Sequence, residues 1–175
     1  MSFLCGIART ADLANVEPEW FNISDIDMHY YNGPFLVIKQ VSDHADAKVE
    51  VYSLYDIKTY QKFGLNILEN AYIVMHACQN ANLEFLDCFL GSGLELKYNE
   101  WAITRACKNG HLGVLNWFLD SGLKLKYNEG AITGASKYGH LDVLDWFLDS
   151  GLELKYDEGA INAASKNGHE NVLNW

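Results

Sequence analysis

Near-identical stretches recur in this chain at a fixed spacing of 29 residues. Residues 101–129 (WAITRACKNGHLGVLNWFLDSGLKLKYNE) and 130–158 (GAITGASKYGHLDVLDWFLDSGLELKYDE) agree at 21 of 29 positions. An incomplete copy follows at residues 159–175, and a more diverged copy precedes them at residues 72–100. A repeat of this length is typical of solenoids, in which each unit buries its apolar face against its neighbours. We therefore expect most repeated residues to be structural and the chain to form a binding surface.

The pattern within one repeat predicts two short helices, a tight turn between them and an extended connector after them. Asn99 can cap the first helix, Asn109-Gly110-His111 predicts the turn, and Gly122 suits the left-handed position that ends the second helix. After Gly122, apolar and polar residues alternate, which predicts a connector with one face inward. Both helices carry an apolar stripe that we expect to be buried. The stripes are Ala102, Ile103, Ala106 and Cys107 in the first helix, and Val114, Leu115, Phe118 and Leu119 in the second.

The run AxxxAxKNGHLxVLxxFLxxG in these repeats resembles the ankyrin repeat, whose units pair two antiparallel helices around a Gly-His turn and end in a glycine. The resemblance covers roughly residues 60–175 and implies a mainly α fold, an ankyrin-type solenoid of stacked helix-turn-helix pairs. The period is shorter than the usual ~33 residues, which predicts a shortened β-finger, and the usual T-P-L-H run is absent. This tryptophan-rich variant is similar to ankyrin repeat proteins encoded by giant DNA viruses. The turns are Gly110-His111, Gly139-His140 and Gly168-His169, and the closing glycines are Gly93, Gly122 and Gly151.

The segment before the array does not follow the repeat and predicts a separate module with a β-hairpin. Residues 35–41 and 48–54 are rich in β-branched and aromatic residues, and residues 42–47 form the loop between them. Residues 56–64 are expected to be the remnant of a second helix. The predicted organisation is an N-terminal module at 1–55, a capping half-repeat at 56–71, repeats at 72–100, 101–129 and 130–158, and a truncated repeat at 159–175.

The last copy stops at Trp175, the equivalent of Trp117 and Trp146, in the middle of its predicted second helix. Phe147 and Leu148 have no counterpart after Trp175. Solenoids normally end in a polar capping unit. We therefore expect a piece or a truncated relative of a longer protein, with an exposed apolar patch here that is either frayed or covered by a second chain.

Composition limits the classes of partner and the compartment. Thirteen Lys and Arg against 23 Asp and Glu give a net charge of −10, which disfavours nucleic acid as a direct partner. No apolar run approaches the ~18 residues that a membrane span needs, and the start has no basic region of a secretory signal. Cys78 and Cys107 share a repeat position that Ser136 and Ser165 occupy later, which favours small core residues in a reducing compartment over a disulfide or a zinc site. We expect an intracellular, cytoplasmic protein, located in the host cytoplasm if it is viral.

Histidines recur at the turn of each repeat, which raises the question of a metal site. Adjacent units of a solenoid stack about 10 Å apart, whereas zinc ligands must all lie about 2 Å from one ion. The expected role of His111, His140 and His169 is therefore a hydrogen bond to the backbone, and no metal site is expected. The sequence also lacks the phosphate-binding and hydrolase motifs that place catalytic residues. We expect no catalytic residue, no cofactor and no enzymatic activity.

Two further repeated features have a chemical and a structural interpretation. The tryptophans at one position of each second helix flank the apolar stripe, which favours packing between repeats over a ladder for stacking a ligand. Aspartates recur on one face of the second helix of the repeat at 130–158. Paired carboxylates can act as acids and bases, but we expect these to lie on a solvated outer face. These residues are Trp117, Trp146 and Trp175, and Asp142, Asp145 and Asp149.

Positions that vary while their neighbours stay fixed are not needed by the scaffold, so they are the candidates for binding a partner. By the resemblance, ankyrin arrays bind through the concave face formed by first helices and connectors. Neutral drift on a solvated surface is the alternative explanation of this variation. The candidate partner-binding residues are Tyr72, His76, Trp101, Arg105, Lys124, Lys126, Glu153 and Lys155.

These observations predict a non-catalytic protein–protein interaction scaffold. Its partner is an unidentified protein, and by the viral resemblance that partner is a host protein. The alternative is an adaptor or enzymatic activity carried by residues 1–55, with the repeats as a support, because the repeat does not explain this segment. Self-association through the truncated C-terminal end stays open.

Overall fold

In the computed structural model, the chain divides into two compact units, Met1–Ile73 and Val74–Trp175. The structure describes residues 2–8, 21–22, 35–41, 49–54, 56–63, 71–92 and 96–175. The turn loop predicted at residues 42–47, the closing Gly93 and the end of the capping half-repeat at residues 64–70 lie outside the described residues.

The described strands of the first unit form one antiparallel sheet with the order β2-β1-β3-β4. The predicted hairpin is present as β3 and β4, with Phe35 opposite Ser53 and Lys39 opposite Val49. β1 is an addition to that prediction, and it pairs with the whole of β3, from Ser2 opposite Val41 onward. The strands are β1 (Ser2–Ala8), β2 (Phe21–Asn22), β3 (Phe35–Val41) and β4 (Val49–Ser53).

Helix α1 (Ile57–Phe63) follows β4 and occupies the stretch predicted as a helical remnant. The backbone N–H of Lys58 donates to Asp56 Oδ1 at 2.9 Å, and Thr59 Oγ1–H donates to the carbonyl of Ser53 at 2.7 Å. These bonds fix the start of the helix against the end of the strand. The side chains buried in this unit include Leu36, Leu54 and Tyr60.

The repeats fold into helix pairs whose members pack in two rows. The first helices α4, α6 and α8 pack side by side in sequence order, and the second helices α3, α5 and α7 form the other row. This arrangement confirms the predicted mainly α solenoid of stacked helix–turn–helix pairs. The helices are α2 (Ala71–Gln79), α3 (Leu83–Gly91), α4 (Glu100–Lys108), α5 (Leu112–Asp120), α6 (Glu129–Tyr138), α7 (Leu141–Asp149), α8 (Glu158–Lys166) and α9 (Glu170–Leu173).

Asparagine or aspartate starts each of the first helices α4, α6 and α8. Asn99 Oδ1 accepts the backbone N–H of Trp101 at 3.1 Å, as the sequence predicted, and Asn128 and Asp157 make the same bond one and two repeats later. These caps satisfy N–H groups that have no partner within the helix. Gly122 ends α5 with φ +71°, so the predicted left-handed position is confirmed.

The predicted stripe of the first helix is fully buried, whereas the stripe of the second helix is narrower than predicted. Phe118 is 0% exposed, but Leu119 is 43% exposed, so the prediction that Leu119 is buried was wrong. Leu90 and Leu148 occupy the same repeat position and are 41% and 51% exposed. The next residue of a helix lies about 100° further round its axis, so Leu119 points away from the direction of the buried Phe118. The residues after the buried phenylalanines therefore face outward.

The connectors alternate as predicted, with Leu125 and Tyr127 half-buried and Lys124 and Lys126 exposed. The described parts of the connectors, at 96–99, 121–128 and 151–157, contain no strand, which agrees with a shortened β-finger. None of the described helices has the length and apolar content that a membrane crossing requires.

Candidate protein-binding surface

The turn histidines link each repeat to the one before it. The Nε2–H of His111, His140 and His169 donates to a backbone carbonyl of the preceding first helix, at 2.9, 3.1 and 3.0 Å. The acceptors lie at or next to the last residue of their helices, where carbonyls have no partner within the helix. The predicted backbone role of these histidines is confirmed. The described residues also include no group of three His, Cys, Asp or Glu placed to bind a metal ion.

The repeated tryptophans make a second series of bonds, between successive second helices. The indole Nε1–H of Trp146 donates to Asn116 Oδ1 at 2.7 Å, and that of Trp175 donates to Asp145 Oδ1 at 2.9 Å. The ring of Trp146 also packs edge-on against Phe147, with centroids 5.1 Å apart. The predicted packing between repeats is confirmed. Asp145 thus takes part in the scaffold, although it is exposed, as Asp142 and Asp149 are.

Tyrosines and lysines of the connectors make a third series. Lys126 Nζ donates to the carbonyl of Tyr98 at 3.1 Å and lies 4.6 Å from the centroid of that ring. Lys155 Nζ lies 4.8 Å from the Tyr127 centroid. The hydroxyl of Tyr127 donates to the carbonyl of Glu153 at 2.7 Å. Four candidate binding residues, Lys124, Lys126, Glu153 and Lys155, therefore belong to connectors that also join repeats.

Burial shifts the pKa of both connector tyrosines upward. It raises the pKa of the Tyr98 phenol, with a smaller contribution from Cys78, and it raises the pKa of Tyr127, where the Glu153 carboxylate adds to the effect. Both phenols therefore remain hydrogen-bond donors at neutral pH. The Tyr98 hydroxyl donates to the carbonyl of Lys124, one repeat further on.

The remaining candidate residues lie on the first helices. Trp101 is the second residue of α4 and is 58% exposed. Arg105 lies one turn further along α4 and is half-buried, and its Nε atom has no hydrogen-bond partner. His76 lies half-buried on α2. Tyr72 also belongs to α2, but its side chain is outside the described part of the chain.

An open groove of about 390 Å³ runs past the N-terminal ends of the first helices. Trp101 is its one member among the candidate residues. Its position in the repeat is taken by glycine in the next two copies, and this variation was the sequence signal that made Trp101 a candidate. The carboxylates and hydroxyls of the groove were not predicted, because they occupy cap and helix positions that have a structural role. Residues lining this groove, which we call the Trp101 groove, include Trp101, Thr104, Glu129, Gly130, Thr133 and Asp157.

No family model matches the chain, and comparisons with known proteins include two partial similarities. Over 39 residues the chain is 51% identical to an uncharacterized protein of Acanthamoeba polyphaga mimivirus, a match that covers 22% of this chain and 12% of the viral protein. The ankyrin repeat domain of human ASB11 is similar over 58% of this chain and 51% of its own, with 19% identity and a TM-score of 0.46. The chain thus spans about half of the solved domain and a small part of the viral protein. Its own geometry, with Gly-His turns, closing glycines and two rows of stacked helices, gives this chain an ankyrin-type solenoid fold.

Proposed function

We propose that this chain is a non-catalytic scaffold that recognises another protein through its first-helix surface. That surface consists of the exposed side chains of α4, α6 and α8 and of the connectors that precede them. We also propose that the repeats that build this surface begin at residues 101, 130 and 159. An ankyrin-type solenoid supports protein binding in general, because stacking exposes a long surface made from equivalent positions.

The exposure of Trp101 carries the proposal. The other described tryptophans, Trp117, Trp146 and Trp175, each donate a hydrogen bond to the preceding repeat. Trp101 is 58% exposed, and its indole makes no hydrogen bond within the described part of the chain. The stack forms equally well with Gly130 at the equivalent position, so the scaffold does not require the ring. Exposed tryptophan and arginine are the residues most enriched in the energetic centres of protein interfaces.

The buried thiols and the turn imidazoles of the described repeats support a role without catalysis. Burial raises the pKa of the Cys78 thiol to about 12 and also raises that of Cys107, so neither is a thiolate nucleophile at neutral pH. The turn histidines already bond to backbone carbonyls through Nε2. The partner that we propose is a host protein in the host cytoplasm. The 51% sequence identity with a mimivirus protein over 39 residues supports this viral setting.

The test uses the full chain and a partner captured from amoebal extract, identified by mass spectrometry and then purified. Isothermal titration calorimetry compares the wild type with Trp101→Ala, with Arg105→Ala and with a control outside this surface, Leu148→Ala. Leu148 lies on the second helix α7 and is 51% exposed. Loss of a central tryptophan weakens an interface by about 2 kcal/mol or more, so we expect at least about a thirtyfold higher Kd for Trp101→Ala. The control is expected to bind as the wild type does.

A further full-chain variant separates this function from the alternative in the N-terminal module. Val49 and Val51 of β4 are 41% and 36% exposed, so Val49→Thr with Val51→Thr changes that surface without opening a core. If the captured partner is lost with this variant and kept by Trp101→Ala, the binding site lies in the module and the repeats are its support.

A further inference from the structure

Stacking of the first helices leaves a gap beside the Trp101 ring. Trp101, Gly130 and Gly159 are the second residues of α4, α6 and α8, which pack side by side. A Cβ atom at Gly130 would lie 2.9 Å from Asn128 Oδ1 and 3.4 Å from Thr104 Cγ2. Gly130 carries no side chain, and the space in front of α6 stays open. The indole therefore forms one wall of a groove, because no side chain stands next to it at the equivalent positions of α6 and α8.

The charged groups that line the Trp101 groove are carboxylates. Glu129 and Asp157 are both exposed and both line the groove, and no lysine or arginine lies among the residues that line it. Arg105 is one turn away on α4 and does not line it. Asp157 Oδ1 accepts the backbone N–H of Gly159, which fixes the carboxylate in place. A partly enclosed pair of carboxylates on a chain of net charge −10 attracts a cation.

The connectors of this chain already place cations on aromatic rings. Lys126 and Lys155 lie 4.6 and 4.8 Å from the centroids of Tyr98 and Tyr127. Neither lysine is among the residues that line the Trp101 groove. No cation of the described residues lies over Trp101, although tryptophan is the ring that binds cations best.

We propose that the Trp101 groove binds an arginine side chain of the partner protein. This inference rests on the proposed function and names the chemistry that the partner presents. A guanidinium group is flat, so it can stack on the indole, and its N–H groups can donate to the carboxylates of Glu129 and Asp157 at the same time. The half-buried hydroxyls of Thr104 and Thr133 can accept the remaining donors. Lysine has a compact charge and lacks the flat face, so it fits this groove less well.

The test is an NMR titration of the ¹⁵N-labelled full chain with two short peptides. One is acetyl-Gly-Gly-Arg-Gly-Gly-amide, and the other carries citrulline, which has the shape of arginine without its charge. We expect the arginine peptide to shift the Trp101 indole resonance and the amide resonances of Gly130 and Gly159, with a Kd on the order of millimolar. The citrulline peptide is expected to bind at least about tenfold more weakly. Equal binding of both peptides, or shifts confined to other residues, would overturn the proposal.

Variants of the carboxylates give a second readout that preserves the fold. Glu129→Gln with Asp157→Asn removes two charges and keeps the helix cap, because Asn99 and Asn128 already serve as caps in this chain. The matched control removes two exposed charges outside the groove, Asp120→Asn with Asp149→Asn. We expect the groove variant to raise the Kd of the arginine peptide at least about threefold and the control to leave it unchanged. If both variants weaken binding equally, the peptide responds to net charge and the proposed site is wrong.

The outcomes for this inference and for the proposed function are separable. If the arginine peptide fails to bind while Trp101→Ala still releases the captured partner, the first-helix surface is the binding surface and the arginine proposal is wrong. If the peptide binds in the groove while the captured partner binds Trp101→Ala as well as wild type, the groove recognises arginine, but the proposed function is wrong and the arginine does not come from that partner.

Discussion

At the scale of single residues, glycine and histidine of the Gly-His turn act in different repeats. A Cβ atom at Gly110 would lie 2.8 Å from Nδ1 of His140, and one at Gly139 would lie 2.6 Å from Nδ1 of His169. The glycine of one turn thus makes room for the histidine of the next turn. Gly168 has no atom within 4 Å of a Cβ position, and among the described residues no histidine packs against it. The pair therefore recurs as a unit because each stacking contact needs one residue from each of two copies.

Two alanine substitutions distinguish the energetic effect of the backbone conformation from that of the glycine–histidine contact. Gly110 and Gly122 have the same φ of +71°, but a Cβ at Gly122 meets no atom within 4 Å. Gly122→Ala is expected to lower the free energy of unfolding by about 1–2 kcal/mol, because alanine adopts the left-handed conformation at that cost. Gly110→Ala should lower it by about 1–3 kcal/mol more, because the methyl group also displaces the His140 ring. Urea denaturation followed by circular dichroism measures both, and equal losses would show that the ring moves aside freely.

The His140 ring itself provides the control for that interpretation. In a His140→Ala background, the additional loss caused by Gly110→Ala should disappear, because the clash is removed. His140→Ala alone is expected to destabilise by about 1–3 kcal/mol, since the carbonyl of Lys108 loses its hydrogen-bond donor. Additivity of the two substitutions would contradict the contact.

The cysteines differ in reactivity because of their burial. Cys78 and Cys107 are fully buried, and burial raises the pKa of both thiols, that of Cys78 to about 12. The thiolate is the reactive form, so at pH 8 both remain protonated thiols in the folded chain. Cys88 is exposed. Iodoacetamide at pH 8 should modify Cys88 quickly and reach the other two only in urea, as measured by peptide mass spectrometry. Modification of Cys107 at the rate of Cys88 in the folded chain would show local opening instead.

At the scale of elements, local spacing predicted the helices and their ends better than it predicted which side chains are buried. The caps at Asn99 and the glycine at Gly122 follow from backbone chemistry within one turn, so the sequence contains the full signal. Leu119 was assigned to the core because an apolar stripe in the sequence does not show how wide the contact with neighbouring helices is. Strand β1 was missed because its partner β3 lies about 30 residues away, beyond the reach of any turn signal.

The Trp101 groove shows the same division between local and non-local information. The exchange of Trp101 for glycine in later copies was visible in the sequence and pointed to a surface residue. Glu129 and Asp157 were not identified, because they come from the starts of different helices. Stacking brings them together, and only the fold specifies that neighbourhood.

The row of second helices depends on a side-chain bond that can be measured separately. The indole Nε1–H of Trp146 in α7 donates to Asn116 Oδ1 in α5 at 2.7 Å. The same ring packs on Phe147 in its own helix. Trp146→Phe keeps an aromatic ring and removes the donor, and Asn116→Ala removes the acceptor. A double-mutant cycle of urea unfolding should give a coupling of about 0.5–1.5 kcal/mol between the two. The same cycle with Trp146 and Asn109, which are not bonded, serves as the control. Equal coupling energies in the two cycles would show that the hydrogen bond does not contribute to stability.

At the scale of the whole repeat unit, the last helix pair lacks the cover that the earlier pairs have. Ile132 and Ile161 occupy the same repeat position, yet Ile132 is 2% exposed and Ile161 is 60% exposed. The difference arises because α8 packs on α6, and no described helix packs on the far side of α8. Leu173 and Trp175 are also 44% and 41% exposed. An open apolar groove of about 280 Å³ lies at this end, lined by these three side chains among others.

This asymmetry predicts a gradient of local stability along the stack, and extending the chain should remove it. In hydrogen exchange, the amides of residues 160–164 are expected to exchange faster than those of residues 131–135 in a dilute sample. An extended chain continues after Trp175 with copies of residues 147–158 and then 130–158, which completes the last pair and adds one more. Covering Ile161 and its neighbours should stabilise this end by about 1.5–3 kcal/mol for each side chain buried, and exchange at 160–164 should slow to the rate of 131–135. An extension of the same composition in scrambled order is the control and should leave the rates unchanged. If residues 160–164 are already as protected as 131–135 in the original chain, the exposed isoleucine has no energetic consequence and stability is uniform along the stack.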